Sequence, residues 1–249
     1  KPWTSFILNF KIPVTDIQEE TSNLISINFS NDTYLEFQLK LPGFFLVKDQ
    51  NGDTQMVKCL PVNEYMILVI NIFFDQKNNL FQIYCFTNGE NKLSAINCKN
   101  NLNIEQDYIM NLSFFENFFG EVTSITMLMH NEEKNYKMNT AEFLPVFKNF
   151  SKGFHKKKFL DKFIEIISDE KNNKLINNLI FCFTCFNYYN NTWQNNDKNN
   201  ETNNLIIDDI LGNYTLNIID QNNSIRNHRY QYYQKKIYLV CDITNFLPI

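Results

Sequence analysis

The chain has 249 residues, 44% of them hydrophobic and 20% charged, with a formal net charge of −4. The hydrophobic share supports a large buried core and excludes wholesale disorder, and the acidic balance argues against a generally basic nucleic-acid binder. The longest apolar run, Tyr65 to Phe74, contains Asn71 and is only about half of the roughly 20 residues that a spanning helix needs. No charged-then-apolar signal segment opens the chain. It starts Lys1-Pro2-Trp3 without an initiator Met and reads as a piece excised from a longer protein.

The first half reads as short strands. Phe6, Leu8, Phe10 and Ile12 alternate with other residues, as do Ile25, Ile27 and Phe29, and then Leu35, Phe37, Leu39 and Leu41. A period of two marks strands with one buried face. Phe44 to Lys48 and Met56 to Leu60 flank Asp49-Gln50-Asn51-Gly52-Asp53, whose Asn-Gly pair can supply the positive φ of a hairpin turn. Met66 to Phe74, apolar on both faces, predicts a central strand; the polar turn Asp75 to Asn79 leads into Phe81 to Thr87. Asn88-Gly89 predicts a second hairpin, into Lys92 to Asn97. Tyr108, Met110, Leu112 and Phe114 make a further alternating set, and Gly120 to His130 a further strand. Many short strands with closely spaced turns predict a β-sandwich.

The pattern then changes. Asn139-Thr140-Ala141-Glu142 is a helix-start signal, and Phe159, Leu160, Phe163, Ile166 and Ile167 recur at helical spacing over about 156–168. Leu179 to Phe186 returns to strand. Residues 191–204 are nearly all polar and read as an Asn-rich flexible loop. Leu205 to Ile210 and Tyr214 to Ile219 are strand candidates, and 235–249 is apolar again. The expected organisation is a sandwich over 1–190 that includes a helical segment at about 139–168, then the loop at 191–204. An extension over 205–249 packs on the sandwich. The 40 Asn against two Ala, Ala95 and Ala141, suggest an AT-rich genome, so Asn-rich loops carry little meaning of their own.

Few residues offer chemistry. Cys182-Phe183-Thr184-Cys185 is a C-x-x-C without the second pair that structural zinc requires, and on a strand its two thiols point to opposite faces. The His residues are His130, His155 and His228, with no G-x-S-x-G elbow. The acid pairs Glu132-Glu133, Asp169-Glu170 and Asp208-Asp209 are adjacent, which on strands makes them diverge, whereas glycoside hydrolysis needs two carboxylates facing one cleft. Asp49 to Asp53 and Asp75 to Asn79 offer oxygens for calcium but few carboxylates, and Lys77 opposes a cation. No catalytic residue, metal ligand or cofactor is expected. His155, Lys156, Lys157 and Lys158 form the densest basic cluster and are the candidate contact for a partner or an acidic membrane surface. The sequons at Asn28, Asn31, Asn111, Asn149, Asn190, Asn200, Asn213 and Asn222 weakly favour secretion.

Several segments resemble known proteins. Pro2-Trp3-Thr4-Ser5-Phe6 before an alternating strand, the Glu64–Ile70 and Leu80–Gly89 segments ending in Asn-Gly, and Phe118-Phe119-Gly120-Glu121-Val122-Thr123-Ser124-Ile125 are similar to a concanavalin-A-like (laminin-G-like) jelly roll. Leu179-Ile180-Phe181-Cys182-Phe183 followed by Asn187, and Lys236 to Ile249 ending Phe246-Leu247-Pro248-Ile249, resemble the corresponding stretches of BEACH (beige and neurobeachin) proteins. Cys241-Asp242 stands where that family has Gly-Gly, and Tyr188 where it has Pro. The resemblance implies an all-β jelly-roll sandwich with one or two short helices and a C-terminal extension leading toward a helical solenoid. It also implies a non-catalytic, cytoplasmic scaffold module of membrane trafficking, which binds other proteins or other domains of its own chain and associates peripherally with membranes. The alternative is a secreted lectin-like domain that binds carbohydrate or calcium, with Trp193 as the glycan platform. Reversing the charge of Lys156, Lys157 and Lys158 is expected to leave the thermal midpoint unchanged; a loss of folded protein by circular dichroism would make the cluster structural.

Overall fold

The computed structural model describes residues 3–12, 21–40, 43–52, 54–75, 77–87, 94–99, 108–118, 121–130, 179–184, 205–208, 214–220, 237–241 and 247–248. The helical segment expected at 139–168 and the Asn-rich 191–204 lie outside them. The described residues form β1 (Trp3–Lys11), β2 (Thr21–Phe29), β3 (Tyr34–Lys40), β4 (Phe44–Asp49), β5 (Thr54–Cys59), β6 (Tyr65–Asp75), β7 (Leu80–Thr87) and β8 (Ser94–Lys99). They continue with β9 (Tyr108–Phe118), β10 (Glu121–His130), β11 (Leu179–Thr184), β12 (Leu205–Asp208), β13 (Thr215–Asp220), β14 (Ile237–Cys241) and β15 (Leu247–Pro248).

These strands build an all-β sandwich of jelly-roll type. One sheet has six strands in the order β11-β10-β1-β6-β7-β8; the larger has the order β12-β13-β14-β9-β2-β3-β4-β5, with β15 beside β9. The chain meanders through β2 to β5 in the larger sheet and through β6 to β8 in the smaller, then returns β9 beside β2 and β10 beside β1. Every pairing is antiparallel. Residues from the 205–249 region pair directly with the sandwich, since Leu239 lies opposite Phe114.

The core between the sheets is apolar and heavily aromatic. Phe6, Leu8, Phe10 and Ile12 face Ile25, Ile27, Leu35, Phe37, Leu39, Leu112 and Phe114, all buried. Rings from the two layers touch: Phe6 with Phe114 at 6.2 Å, Phe10 with Phe115 at 5.5 Å, Phe29 with Phe81 at 5.6 Å and Phe114 with Phe181 at 6.1 Å. Each such pair adds about 0.5–1.5 kcal/mol beyond the area it buries.

Met66 to Phe74 is buried along its whole length, as a central strand requires, because β6 lies between β1 and β7 and both of its faces are covered. The outward sides of β1 and β10 are buried as well: Ser5, Ile7, Asn9, Ser124, Thr126 and Leu128 are all about 1% exposed or less. Ser5 donates to Asn71 Oδ1 at 2.7 Å on this side.

One strand departs from its expected alternation. In β9 the buried set is Ile109, Leu112, Phe114, Phe115 and Phe118, so the simple even-numbered series does not hold. The cause is two irregularities of register. Against β2, Asn28 faces Asn111 while Phe29 faces Ile109; against β14, Ile237 faces Phe118 while Leu239 faces Phe114. Each gives β9 extra residues relative to its partner strand and disturbs its alternation. Phe115 and Asn117 take positive φ, 55° and 54°, at the second one, and Ser22 Oγ secures it by donating to the Asn117 carbonyl at 2.8 Å.

The β4–β5 turn follows the expected chemistry. Gly52 takes a φ of 80° and donates its N–H to the Asp49 carbonyl at 2.9 Å, while the Asp49 carboxylate accepts the Asn51 N–H at 2.9 Å. At the other end of β4, Leu60 N–H donates to the Gly43 carbonyl at 2.7 Å, so the two backbones run in contact. A Cβ on Gly43 would sit 2.6 Å from the Leu60 carbonyl oxygen. Gly43→Ala should therefore cost about 1–3 kcal/mol, read as a lowered urea midpoint at unchanged slope; an unchanged midpoint would mean that the β4–β5 edge moves apart without cost.

Candidate functional site

The residues picked out from sequence as partner or glycan contacts, His155, Lys156, Lys157, Lys158 and Trp193, lie outside the described residues, as do Cys185, His228 and the acid pairs at 132–133 and 169–170. Two other candidates are described. The Asp75 carboxylate accepts the Lys77 N–H, the Asn78 N–H and side-chain donors from Asn78 and Gln82. The Asp49 carboxylate is buried under its own turn. Both carboxylates shape turns. Among the described residues no group of three or more His, Cys, Asp and Glu is arranged to hold a metal ion, and no helix is long and apolar enough to cross a membrane.

A different region stands out. Phe44, Met56 and Val62 are 40%, 66% and 38% exposed, and they are the large exposed hydrophobics among the described residues. All three belong to β4, β5 and the turn after β5. Alternation puts Phe44, Leu46 and Lys48 on the outward side of β4, with Phe45 and Val47 in the core. Leu46 lies opposite Met56, and the register then shifts so that Phe45 faces Lys58 and Phe44 faces Cys59. β5 is the last strand of its sheet, so Met56 has no neighbouring strand on its far side to cover it. The corner is pinned to the other sheet: Gln55 Nε2 donates to the Asn97 carbonyl at 3.3 Å, and Lys58 Nζ to Thr87 Oγ1 at 3.0 Å. From sequence, 56–60 reads as one more strand, with no sign of what the structure shows: every residue from Thr54 to Cys59 is exposed or half-exposed.

Beside this corner the outward side of the larger sheet is polar. Glu36 Oε2 accepts from Gln38 Nε2 at 2.9 Å and from Lys48 Nζ at 3.2 Å, and the Lys48 ammonium also lies 5.5 Å from the centre of the Tyr34 ring. Hydrogen bonding and charge from Glu36 raise the pKa of Lys48. A half-exposed pair of this kind contributes little to stability; its effect is to hold both side chains in place. Further along the sheet, Asn28 Nδ2 donates to Asn111 Oδ1 at 2.6 Å and Asn23 Nδ2 to Glu116 Oε2 at 3.3 Å. Two sequons, at Asn28 and Asn111, thus meet at exposed positions on one face.

The buried cysteines Cys85, Cys98 and Cys182 serve packing. Cys182 accepts a hydrogen bond from Thr126 Oγ1 at 3.2 Å. Cys85 lies opposite Ser94 and Cys98 opposite Phe81, so these two are not a facing pair. Cys59 is exposed.

No family model and no curated protein matches the chain. Among solved structures, the chain is similar to the CBM40 of a Ruminococcus gnavus IT-sialidase, bound to α2,6-sialyllactose, at 14% identity over 52% of this chain and 77% of that one, with a TM-score of 0.35. It is also similar to full-length tailspike protein 2 of an Escherichia coli O157:H7 bacteriophage, at 13% identity over 54% of this chain and 20% of that one, with a TM-score of 0.32.

Burial pushes the Cys85 thiol far above its ordinary pKa. A folded-state pKa above the unfolded one leaves stability intact below about pH 8.5 and removes it as the unfolded thiol ionises, by about 1.4 kcal/mol per pH unit. Cys85→Val should flatten this alkaline fall in the urea midpoint between pH 8.5 and 10; a slope equal to that of the parent would mean that Cys85 is reachable by water.

Proposed function

We propose that this chain is a non-catalytic protein-interaction module of a large BEACH-type scaffold acting in membrane trafficking on the cytoplasmic side, and that its partner surface is the corner formed by Phe44, Met56 and Val62. The gathering of exposed apolar side chains at one edge carries the reading. Apolar side chains scattered singly over a surface are ordinary, but a cluster beside polar groups marks a place where another protein excludes water. The corner is backed by a rigid sheet and tied to the second sheet through Gln55 and Lys58, so little order has to be gained on binding. Its partner in this reading is another domain of the same polypeptide or a separate protein. Buried thiols such as Cys85 fit a reducing compartment. The basic cluster 155–158 supplies the peripheral membrane contact of the same proposal.

The second reading, a secreted lectin-like domain that binds carbohydrate or calcium, is favoured by the exposure of the sequons Asn28 and Asn111. Mass mapping of the native protein separates the two: unmodified Asn28 and Asn111 support the scaffold, and N-glycans there support secretion.

The direct test starts with the transcript beyond the Ile249 codon, where the scaffold reading expects a helical solenoid followed by BEACH and WD-repeat regions. Those regions, titrated with the 249-residue chain, should bind it. Phe44→Ser combined with Met56→Glu should weaken that binding at least about tenfold, or 1.4 kcal/mol, with the circular dichroism spectrum unchanged. Binding at full strength by the double variant would remove the corner from the proposal, and a transcript encoding none of those regions would remove the scaffold.

A further inference from the structure

The outward side of the larger sheet carries a second, chemically different surface. The register aligns its side chains in rows across the strands. Ser113, Ser26, Glu36 and Lys48 form one row, Asn111, Asn28 and Tyr34 a second, and Glu116, Asn23, Gln38 and Leu46 a third. The first two rows are two residues apart along the strands, roughly 7 Å; the third is two residues from the first on β3 and β4 and three on β2 and β9. Ionic groups are few: Glu36 is neutralised by Lys48, and Glu116 is engaged by Asn23. The remaining groups are carboxamides and hydroxyls with unused capacity. Both described donors to Glu36 use Oε2, which leaves Oε1 open. Asn28 uses only its Nδ2 and Asn111 only its Oδ1.

We propose that this face binds a neutral saccharide, with hydroxyl groups of the sugar bridging the open carboxamide and carboxylate positions of Asn28, Glu36, Gln38 and Asn111. Closely spaced donors and acceptors of both kinds, on a surface with little net charge, complement vicinal hydroxyls, each of which both gives and takes a hydrogen bond. An anionic ligand would need uncompensated cations; within these rows Lys48 is already paired, and Lys40 stands outside them at the end of β3. An extended peptide would bind through main-chain pairing at a sheet edge, not on the face, where the strands' backbone groups are turned toward their neighbours. The inference is independent of the scaffold reading, because it uses neither the apolar corner nor a partner protein; it narrows the carbohydrate-binding reading to one face and one ligand class, and it requires Asn28 and Asn111 without N-glycans.

The test uses the 249-residue chain prepared without N-glycans and a panel of neutral hexasaccharides from α-1,4-glucan, β-1,3-glucan, β-1,4-xylan and α-mannan, read by calorimetry. At least one should bind with millimolar or tighter affinity. Gln38→Ala and Asn28→Ala, both at solvent-facing positions, should each weaken it at least fivefold, Glu36→Gln should weaken it with the shape kept, and Met56→Glu should leave it unchanged. Absence of binding across the panel at 10 mM sugar would overturn the proposal. So would binding that survives both alanine variants, or a preference of the same face for sialyllactose, heparin fragments or an unstructured peptide.

Discussion

The contact between phenylalanine rings of opposite sheets is the constraint on which the rest of the molecule depends. Phe6 and Phe10 project from β1 of the smaller sheet onto Phe114, Phe115 and Phe118 of β9 in the larger one, and Phe181 of β11 closes on Phe114 from the side. Large flat rings meeting edge to face tolerate little relative sliding of the layers, because the packing is already dense. The β9 irregularities follow from this demand. A regular strand can turn only alternate residues inward, yet Phe114 and Phe115 are both in the core. Holding a bulky residue at a φ of 55° costs free energy, and the burial of an extra ring offsets it.

The two sheets are not equivalent, and the difference decides where a ligand surface can be. The smaller sheet is buried on both sides along β1, β6 and β10. Its outward side carries Asn9, Asn71 and Ser124 with buried side-chain atoms that have no partner. The larger sheet has a core side and a solvated side, the usual arrangement for antiparallel strands. Both surfaces with recognisable chemistry, the apolar corner at β4 and β5 and the polar rows across β9, β2, β3 and β4, are on the larger sheet. They adjoin one another but differ in kind, one suited to excluding water and the other to replacing it.

The resemblance to BEACH proteins and the exposed corner meet in a scaffold reading that asks little of any single side chain. Binding modules of this type work through shape and a few anchors held on a rigid frame. The described part of the molecule supplies that frame: a turn ordered by Asp49 and Gly52, a backbone contact at Gly43, and a corner bonded to both sheets. The fold by itself names no ligand, so the side chains at the corner and on the polar face carry the functional argument.

Much of the strand pattern was legible in the chain. Alternation in β1, β2 and β3, the two-sided apolar run of β6 and the Asn51-Gly52 turn are local properties, set by the pleat and by the φ that glycine allows, and they need no partner to be read. The layered architecture followed from them. Alternation failed in β9, where the core's appetite for adjacent rings overrode the period of two, and in β5, whose position at the end of the sheet removes the neighbour that would cover Met56. The exposure of Phe44, Met56 and Val62 and the alignment of Ser113, Ser26, Glu36 and Lys48 in one row had no sequence signature, because each depends on residues dozens of positions apart. The sequence by itself determined which segments become strands and which side of most of them is apolar. The tertiary structure alone decided which strands are neighbours, which faces are covered and which side chains stand together, because pairing order and register are settled by contacts between distant parts of the chain.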